Sequence, residues 1–483
     1  MKPHWLSKGN RVHTAEFGSF SSTSREAIVS VGDSLALFSV SDSSSTENIA
    51  IGLSKCVYHS NSFGSIRILS SLPSTANRNH VFAVNSQQQW WILGFKEDRQ
   101  HHHFSSVVLA TGRFAPPGPQ QRNRPPTLLR GNPTCTVSRV PTTPNNSNTN
   151  VVVVLLQLWT DSQALDALTI QVPTPNTTTT TSTTTSTTTT TTTTNVWQVD
   201  WQRISLESSR ELTSLQLAAV SFTGRVRQAQ TQHTHQTGAV SKNQNEIETK
   251  TKANTLYEHG VVIVLKERSK LPGAPSTKHV HLAYLNMNRG AIVVGSGEWS
   301  IQAVHPSTSH AFVLNETDAV LCVENSGCVL WTPTGCIGHQ KVPGFDTGTC
   351  VKRACHVVAS GNDSTVSTTS SGTTVVSHVL LLTSSGALAH VTVRCHMDPT
   401  KTARTAGLYT PRLNYTLSPI VMLETNHVDL VSDSILKCTR DHCSLVAATQ
   451  GHGGLLQLFQ ISLTATPSAL SAPSEHVAHI SQQ

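Results

Sequence analysis

An all-β fold is predicted by three features of the sequence. Charged residues make up only 13% of the 483 residues, and threonine, valine and serine take their place. β-branched side chains suit a pleated sheet. No stretch shows the sustained 3.6-residue apolar period of a long amphipathic helix. Seven segments instead show the pattern of a hairpin, in which two apolar strands flank a short turn rich in glycine, serine, aspartate or glutamine.

The predicted hairpins recur along the whole chain. They span residues 27–40, 81–95, 151–172, 261–285, 311–331, 379–393 and 445–461. The first turns at Gly32 and Asp33, and the fifth has two candidate turns, at 315–318 and 325–327. A lone hairpin is marginal in water, so seven of them need a closed or stacked arrangement. Radial repetition around a channel leaves only short, protected edges. The sequence therefore predicts a seven-bladed β-propeller, with two β-sandwiches as the alternative architecture.

A single propeller domain is predicted over residues 25–461, between an N-terminal segment, 1–24, and a flexible tail, 462–483. Three polar, low-complexity segments interrupt the strand pattern. They are 174–195, which is almost pure threonine and serine, 228–254 and 360–374. Segments without apolar side chains to bury do not form a core, and longer loops cost little stability. The three segments are therefore predicted to be disordered loop insertions.

The charge and the N-terminus predict an intracellular, soluble chain. A net charge of +7 is mild over this length and favours solubility over a dedicated nucleic-acid groove. Residues 1–20 contain no apolar run of the kind found in a secretory signal, and no stretch approaches the roughly 20 apolar residues of a membrane span. In such a compartment the ten cysteines predict no disulfide framework.

No catalytic residue, metal ligand, cofactor or small-molecule substrate is predicted, and the chain is predicted not to be an enzyme. The pair Cys355 and His356 lacks the short cysteine knuckle of a structural zinc site, and the run from His101 to His103 is predicted to be solvated. Neither a nucleophile elbow nor a phosphate-binding glycine loop is present. A propeller enzyme with polar groups at its central channel stays open as an alternative.

Partner-binding residues are predicted in two neighbouring regions. Adjacent strand residues face opposite sides of a sheet, so one ring of a tryptophan pair is predicted to lie in the core. The other is predicted to be an anchor for a partner, because exposed tryptophan is common in interface hot spots. The second region is a proline-rich stretch crowded with arginines, suited to an acidic partner or phosphate. The predicted residues are Trp90, Trp91, Arg113, Arg122, Arg124 and Arg130.

Several short motifs follow one another in a characteristic order. They are residues 25–40, Phe63-Gly64-Ser65-Ile66, Thr111-Gly112-Arg113, Asn132-Pro133-Thr134-Cys135, Leu156-Gln157-Leu158-Trp159, Ile170-Gln171-Val172-Pro173, 378–393 and 444–461. In this order they resemble the first propeller of a family of large scaffold subunits. The family includes the damaged-DNA-binding large subunit, the propeller subunit of the splicing factor 3b complex, and the large cleavage and polyadenylation specificity subunit. Asn132 and Trp159 depart from its aspartate and tyrosine.

The resemblance implies a non-enzymatic protein-docking scaffold of a nuclear complex. The branch it resembles most is the damaged-DNA-binding adaptor of a ubiquitin ligase; a scaffold of pre-mRNA splicing or of cleavage and polyadenylation is the alternative. The implied partners are other proteins, with nucleic acid reached through them and no membrane involved. Functions of the family's later propellers, such as cullin docking, are not implied. A surface adhesin with a glycosylated threonine tract is a further alternative, which needs a secretory signal.

Overall fold

The computed structural model describes strands from one end of the predicted domain to the other. The described residues are 12–21, 26–39, 51–52, 55–72, 78–98, 103–115, 134–139, 150–158, 164–172, 197–208, 215–228, 257–267, 277–288, 290–294, 300–314, 319–332, 335–344, 349–358, 368–369, 372–405, 408–423, 435–438, 443–448 and 456–461. None of these residues is helical, so the described ranges contain no helix able to cross a membrane.

The first half of the chain contains the strands β1 to β15. They are β1 (Val12–Gly18), β2 (Glu26–Val31), β3 (Ser34–Ser39), β4 (Ile51–Gly52), β5 (Lys55–Ser60), β6 (Ile66–Leu72), β7 (His80–Asn85), β8 (Gln89–Asp98), β9 (His103–Arg113), β10 (Thr134–Arg139), β11 (Asn150–Gln157), β12 (Ala164–Val172), β13 (Gln198–Ser208), β14 (Leu215–Gln228) and β15 (Tyr257–Glu267).

The second half of the chain contains the strands β16 to β31. Its strands are β16 (Lys278–Asn286), β17 (Ala291–Val294), β18 (Ser300–Val304), β19 (His310–Val313), β20 (Val320–Glu324), β21 (Gly327–Thr332), β22 (Gly335–Lys341), β23 (Val351–Val358), β24 (Thr368–Thr369), β25 (Gly372–Thr383), β26 (Leu388–Thr405), β27 (Leu408–Leu417), β28 (Val421–Leu423), β29 (Ile435–Cys438), β30 (Cys443–Ala448) and β31 (Leu456–Ile461).

All seven predicted hairpins are confirmed as antiparallel pairs. The pairs are β2–β3, β7–β8, β11–β12, β15–β16, β20–β21, β25–β26 and β30–β31. In the fifth, β20 also pairs antiparallel with β19; the candidate turn at 325–327 lies between β20 and β21, and the one at 315–318 lies outside the described residues. Gly32 and Gly386, at two predicted turns, have φ of 58° and 86°, a region that glycine enters without steric cost.

Most of the sheets are four-stranded antiparallel meanders. The orders are β1-β2-β3-β5, β6-β7-β8-β9 and β19-β20-β21-β22, and β23-β25-β26-β27 carries two short strands beside it. The last sheet has the order β29-β30-β31-β4, so residues 51–52 from near the N-terminus complete a sheet otherwise built from the C-terminal part of the described chain.

Strands β10 to β18 form one nine-stranded sheet. β13 pairs with β17 in parallel over Ser205–Ser208 and Ala291–Val294, and this pairing joins the meander β10-β11-β12-β13 to the meander that starts with β14. The described strands therefore form six hydrogen-bonded sheets, and the predicted number of seven blades stays a prediction.

The sheets close into a ring. The first strand of each meander contacts the next meander around the molecule, in the order β1, β6, β10, β14 and β19; β20 then contacts β23, which contacts β29. β29 in turn contacts β1, so the cycle returns to its start. Radially arranged meanders that close in this way form a β-propeller, and the predicted fold class is confirmed.

The core lies between neighbouring sheets. One cluster joins β2 and β3 to β7 and β8, and the next joins β7 and β8 to β11 and β12. Further clusters fill the gaps from the third meander to β23–β26. Burial on both faces explains why all six residues of β2 are buried, where a sheet with one wet face would alternate.

The propeller begins earlier in the chain than predicted. β1 lies within the predicted N-terminal segment 1–24, yet it pairs with β2 from Val12 to Gly18 and packs in the ring. Residues just after β1 contact the buried carboxylate of Glu26, which is 1% exposed. This carboxylate accepts 2.7 Å hydrogen bonds from the backbone N–H groups of Phe20 and Ser21, and another from the Ser21 hydroxyl. The boundary at residue 25 is therefore wrong, because few apolar residues mark β1 in the sequence.

Replacing Glu26 with glutamine is expected to destabilise the protein by about 2 kcal/mol. The amide keeps the shape but loses charge-assisted hydrogen bonds to buried donors. The free energy of unfolding in urea measures the effect. The matched control is Glu97→Gln, at an exposed position of β8, which we expect to change stability by less than about 0.5 kcal/mol. Equal effects of the two changes would contradict the anchoring role of Glu26.

The predicted loop insertions have different outcomes. Residues 174–195 and 229–254, like the predicted tail 462–483, lie outside the described residues. Gln228 still belongs to β14, and in the segment 360–374 the strand β24 pairs with the start of β25 at Gly372 and Thr373. For these residues the prediction of a disordered loop is wrong, because threonine-rich backbone can extend a hairpin through main-chain hydrogen bonds without burying apolar side chains.

Candidate functional site

Strand β13 presents an exposed aromatic side chain where two meanders of one sheet join. Alternate residues of an extended chain share a face, and one face here carries Trp197, just before β13, together with Val199, Trp201 and Arg203. Trp197 and Val199 pack against the core cluster that β8 and β11 share. Further along, Trp201 is 40% exposed. It is the one aromatic among the large hydrophobic residues that are exposed in the described ranges.

The Trp201 ring is held by contacts from two strands and a strand end. Its centroid lies 6.3 Å from that of Phe114, at an interplanar angle of 70°, a geometry that aromatic pairs favour. The guanidinium carbon of Arg203 lies 5.6 Å from the ring centroid, within the range of a cation–π interaction. The indole Nε1–H donates to Asp166 Oδ1 at 3.2 Å. These contacts fix the ring although much of it is open to solvent.

A buried ion pair holds the residues that contact the Trp201 ring. Asp166 on β12 is 0% exposed, and Arg203 donates to its Oδ1 from Nε at 3.1 Å and from Nη2 at 3.0 Å. Nη2 also donates to the carbonyl oxygen of Ala115 at 2.6 Å, which ties β13 to the end of β9. We call Trp201, Arg203, Asp166 and Phe114 the Trp201 platform. It is a rigid, partly apolar surface with a cation at its edge.

The predicted tryptophan anchor is wrong. Trp90 and Trp91 are each only 7% exposed. They do face opposite sides of β8, as predicted, but Trp90 packs with Phe114 against the third meander and Trp91 packs with Phe63 against the first. Because neighbouring sheets cover both faces of β8, neither ring is available to a partner.

The predicted arginines fall partly outside the described residues. Arg113 is exposed at the end of β9. A Cβ atom at the neighbouring Gly112 would lie 2.5 Å from the Trp90 ring, so Gly112 faces Trp90 and Arg113 projects from the opposite face of the strand. The structure therefore does not place Arg113 on the platform. Arg122, Arg124 and Arg130 lie outside the described residues, and partner binding by the four arginines stays a prediction.

Sequence reasoning missed Trp201, although a signal for it exists. The segment Trp197-Gln198-Val199-Asp200-Trp201-Gln202-Arg203 alternates apolar and polar residues, which places both tryptophans and Arg203 on one face of a strand. The pattern does not show that β13 is the last strand of its meander, since that depends on which strands pair with it.

Buried histidines are numerous but do not assemble a catalytic or metal site among the described residues. Nδ1 of His378 lies 3.0 Å from Nε2 of His390, and their rings stack with centroids 5.2 Å apart. Burial, followed by the neighbouring His378, lowers the pKa of His390 to about 4, so this ring is neutral at pH 7 and a weak base. No group of three or more potential metal ligands occurs in the described ranges.

The cysteines depart from expectation at one position. Burial raises the pKa of Cys322 and, to about 12, that of Cys328, so both thiols stay protonated and unreactive. Cys355 on β23 is disulfide-bonded, whereas the sequence predicted no disulfide framework. Spacing in the sequence cannot reveal such a bond, because packing decides which sulfur atoms meet.

Comparison with known proteins gives distant likenesses only. No family model matches the chain, and no curated protein matches it. The WD40 domain of SCAP from fission yeast is 7% identical, with 94% of this chain and 80% of that chain covered and a TM-score of 0.40. BBS1N in complex with ARL6DN is 9% identical, with 94% and 93% covered and a TM-score of 0.42. Sqt1 from Chaetomium thermophilum is 8% identical, with 94% and 97% covered and a TM-score of 0.43.

At such identities and TM-scores these likenesses carry no argument about function. The assignment of a β-propeller rests on the chain's own meanders and on their closed cycle of contacts. The resemblance to the scaffold-subunit family stays a prediction.

Proposed function

We propose that this chain is a non-enzymatic protein-docking module, in which the ring of sheets is the frame and the Trp201 platform is a contact point. The observation that carries the proposal is the state of Trp201, which is 40% exposed yet held by Phe114, Arg203 and Asp166. A large apolar ring gains free energy when it leaves water, so a partner that covers the Trp201 ring would gain binding free energy.

Rigidity makes such a ring suitable for binding. A side chain that is free in solution loses rotamer entropy when a partner immobilises it. The cation–π contact, the edge contact with Phe114 and the hydrogen bond to buried Asp166 already restrict Trp201, so less entropy remains to be lost. Tryptophan and arginine are also the residues most enriched in interface hot spots, and both stand together here.

The proposal also includes the type of complex in which the chain acts. The order of the motifs in the sequence supports a nuclear scaffold similar to the damaged-DNA-binding adaptor of a ubiquitin ligase, with pre-mRNA splicing or polyadenylation scaffolds as the alternative branch. In either setting the partners are proteins, and nucleic acid is reached through them. Cullin-ligase, splicing or polyadenylation components among the captured proteins would distinguish the branches.

Trp201→Ala is expected to lower the recovery of a specific set of partner proteins by roughly tenfold or more, since loss of a hot-spot side chain costs about 2 kcal/mol or more. The full-length chain and the variant are each expressed with an affinity tag, and captured proteins are quantified by mass spectrometry after cross-linking. The matched control is Ile337→Ala, because Ile337 is also a large apolar residue, 45% exposed, on the outer strand β22 of another sheet.

The experiment tests the role of the Trp201 platform separately from the docking function of the whole chain. Equal losses for Trp201→Ala and Ile337→Ala would show that the platform has no special role. Capture of no protein above background by the unaltered chain would contradict the docking function itself.

A further inference from the structure

The Trp201 platform has a hydrogen-bond donor, beside its exposed ring, that no described residue uses. A guanidinium carries five N–H groups, and Arg203 uses those on Nε and Nη2 for Asp166 and Ala115. Nη1 makes no hydrogen bond or ion pair with the described residues, and the Arg203 side chain is 26% exposed. Arg203 therefore brings a partly exposed positive charge next to an apolar ring.

Among the described residues, no carboxylate is exposed on the same surface. The carboxylate of Asp166 is 0% exposed and is covered by Arg203 and Trp201. Asp200 is exposed, but as the neighbour of Trp201 on β13 it projects from the opposite face of the strand. Among the described residues of this face, the platform presents a cation and an aromatic ring without a competing surface carboxylate.

We propose that the platform binds a peptide segment in which an aspartate or glutamate lies within two residues of a large apolar side chain. The carboxylate accepts from Nη1 of Arg203, and the apolar side chain covers the open part of the Trp201 ring. This inference rests on the docking function proposed above and names the chemistry of the partner. Charge-assisted hydrogen bonds to arginine are among the stronger ones, and the net charge of +7 favours approach of an acidic segment.

The geometry favours a peptide over single-stranded nucleic acid. Nucleic-acid channels combine several aromatic rings for successive bases with a basic groove along the backbone. On this face of β13 the described residues offer one exposed ring, Trp201, and one face of that ring is already covered by the guanidinium of Arg203. One ring and one donor match the spacing of neighbouring side chains in a peptide.

Fluorescence polarisation with three probes tests the inference on the full chain. The probes are a short labelled peptide with two leucine–glutamate pairs in a glycine–serine background, the same peptide with glutamine in place of glutamate, and a short oligouridine RNA. We expect the leucine–glutamate peptide to bind roughly tenfold more tightly than the other two, which corresponds to about 1.4 kcal/mol, and to weaken as salt is raised.

Substitutions in the Trp201 platform test whether the peptide binds there. Trp201→Ala is expected to lower the affinity for the acidic peptide roughly tenfold. Trp201→Phe is expected to retain part of that affinity, and Ile337→Ala to leave it unchanged. Arg203→Lys keeps a positive charge for Asp166 but removes Nη1, so it is expected to lose the preference for glutamate over glutamine. Thermal unfolding of each variant establishes that it is folded before its affinity is compared.

The outcomes also separate this inference from the proposed function. Equal affinity for the glutamate and glutamine peptides, preference for the RNA, or absence of peptide binding would overturn the inference. If partner capture nevertheless depends on Trp201, the docking function stands with a partner of other chemistry. If the acidic peptide binds at Trp201 but no protein is captured from cells, the inference stands and the docking function fails.

Discussion

Lowering the pH from 7 to 5 is expected to remove several kcal/mol of the free energy of unfolding. Five histidines between the sheets have pKa values lowered to about 4, primarily because burial disfavours the charged ring. They are His259, His281, His310, His356 and His390. His259 and His281 are the most enclosed of the five, at 1% and 8% exposed, and His259 Nδ1 and His281 Nε2 have no hydrogen-bond partner among the described residues.

The direction follows from the two states. In the unfolded chain a histidine binds its proton near pH 6.5, whereas in the folded chain these rings stay neutral down to about pH 4. Between these values the unfolded state binds more protons, so stability rises with pH there. The contribution is complete above about pH 6.5 and is lost as the pH falls toward 4. For a fully buried ring this amounts to about 2 kcal/mol at pH 5, a large share of a typical stability of about 5–15 kcal/mol.

Urea unfolding at pH 7 and at pH 5 measures the loss, and His259→Phe tests its origin. A phenylalanine keeps the edge contact with Phe222, whose ring lies 5.7 Å away, and cannot be protonated. We expect this variant to lose about 2 kcal/mol less than the unaltered chain between the two pH values. His305→Phe, at an exposed position, is the control and should leave the loss unchanged. A pH-independent stability in the unaltered chain would show that the buried rings do not control it.

Gly327→Ala is expected to destabilise the protein by about 3 kcal/mol or more. Gly327 begins β21, and a Cβ atom there would lie 2.0 Å from the carbonyl oxygen of Gln340 and 2.9 Å from the Cα atom of Lys341. Both are backbone atoms of β22, which pairs with Gly327 through Lys341. A backbone cannot rotate away as a flexible side chain does, so the methyl group must push β22 off its partner.

A neighbouring glycine is the matched control for this substitution. At Gly338, in the middle of β22, an added Cβ atom would come no closer than 3.7 Å to the nearest described atom, Cδ2 of Leu417. Gly338→Ala is therefore expected to change the free energy of unfolding by less than about 1 kcal/mol. Thermal and urea unfolding of the two variants give the comparison. If both variants unfold alike, the close approach of β21 and β22 is not what requires a glycine at 327.

The sequence by itself determined the hairpins. The alternation of apolar residues and the turn residues at Gly32 and Gly386 are local signals, and the strands on either side pair as the pattern indicates. Local signals are also enough to place Trp90 and Trp91 on opposite faces of one strand. The resemblance to large scaffold subunits adds a cellular setting, which stays a prediction.

Only the tertiary structure decided what each face meets. Both faces of β8 are covered by neighbouring sheets, which buries Trp90 and Trp91, whereas β13, the last strand of its meander, leaves Trp201 partly open. The closed ring of sheets also includes β1, which pairs with β2, and brings β4 beside β31. The physical reason is that strand periodicity depends on neighbours two residues apart, while exposure depends on residues far along the chain that closure of the ring brings together.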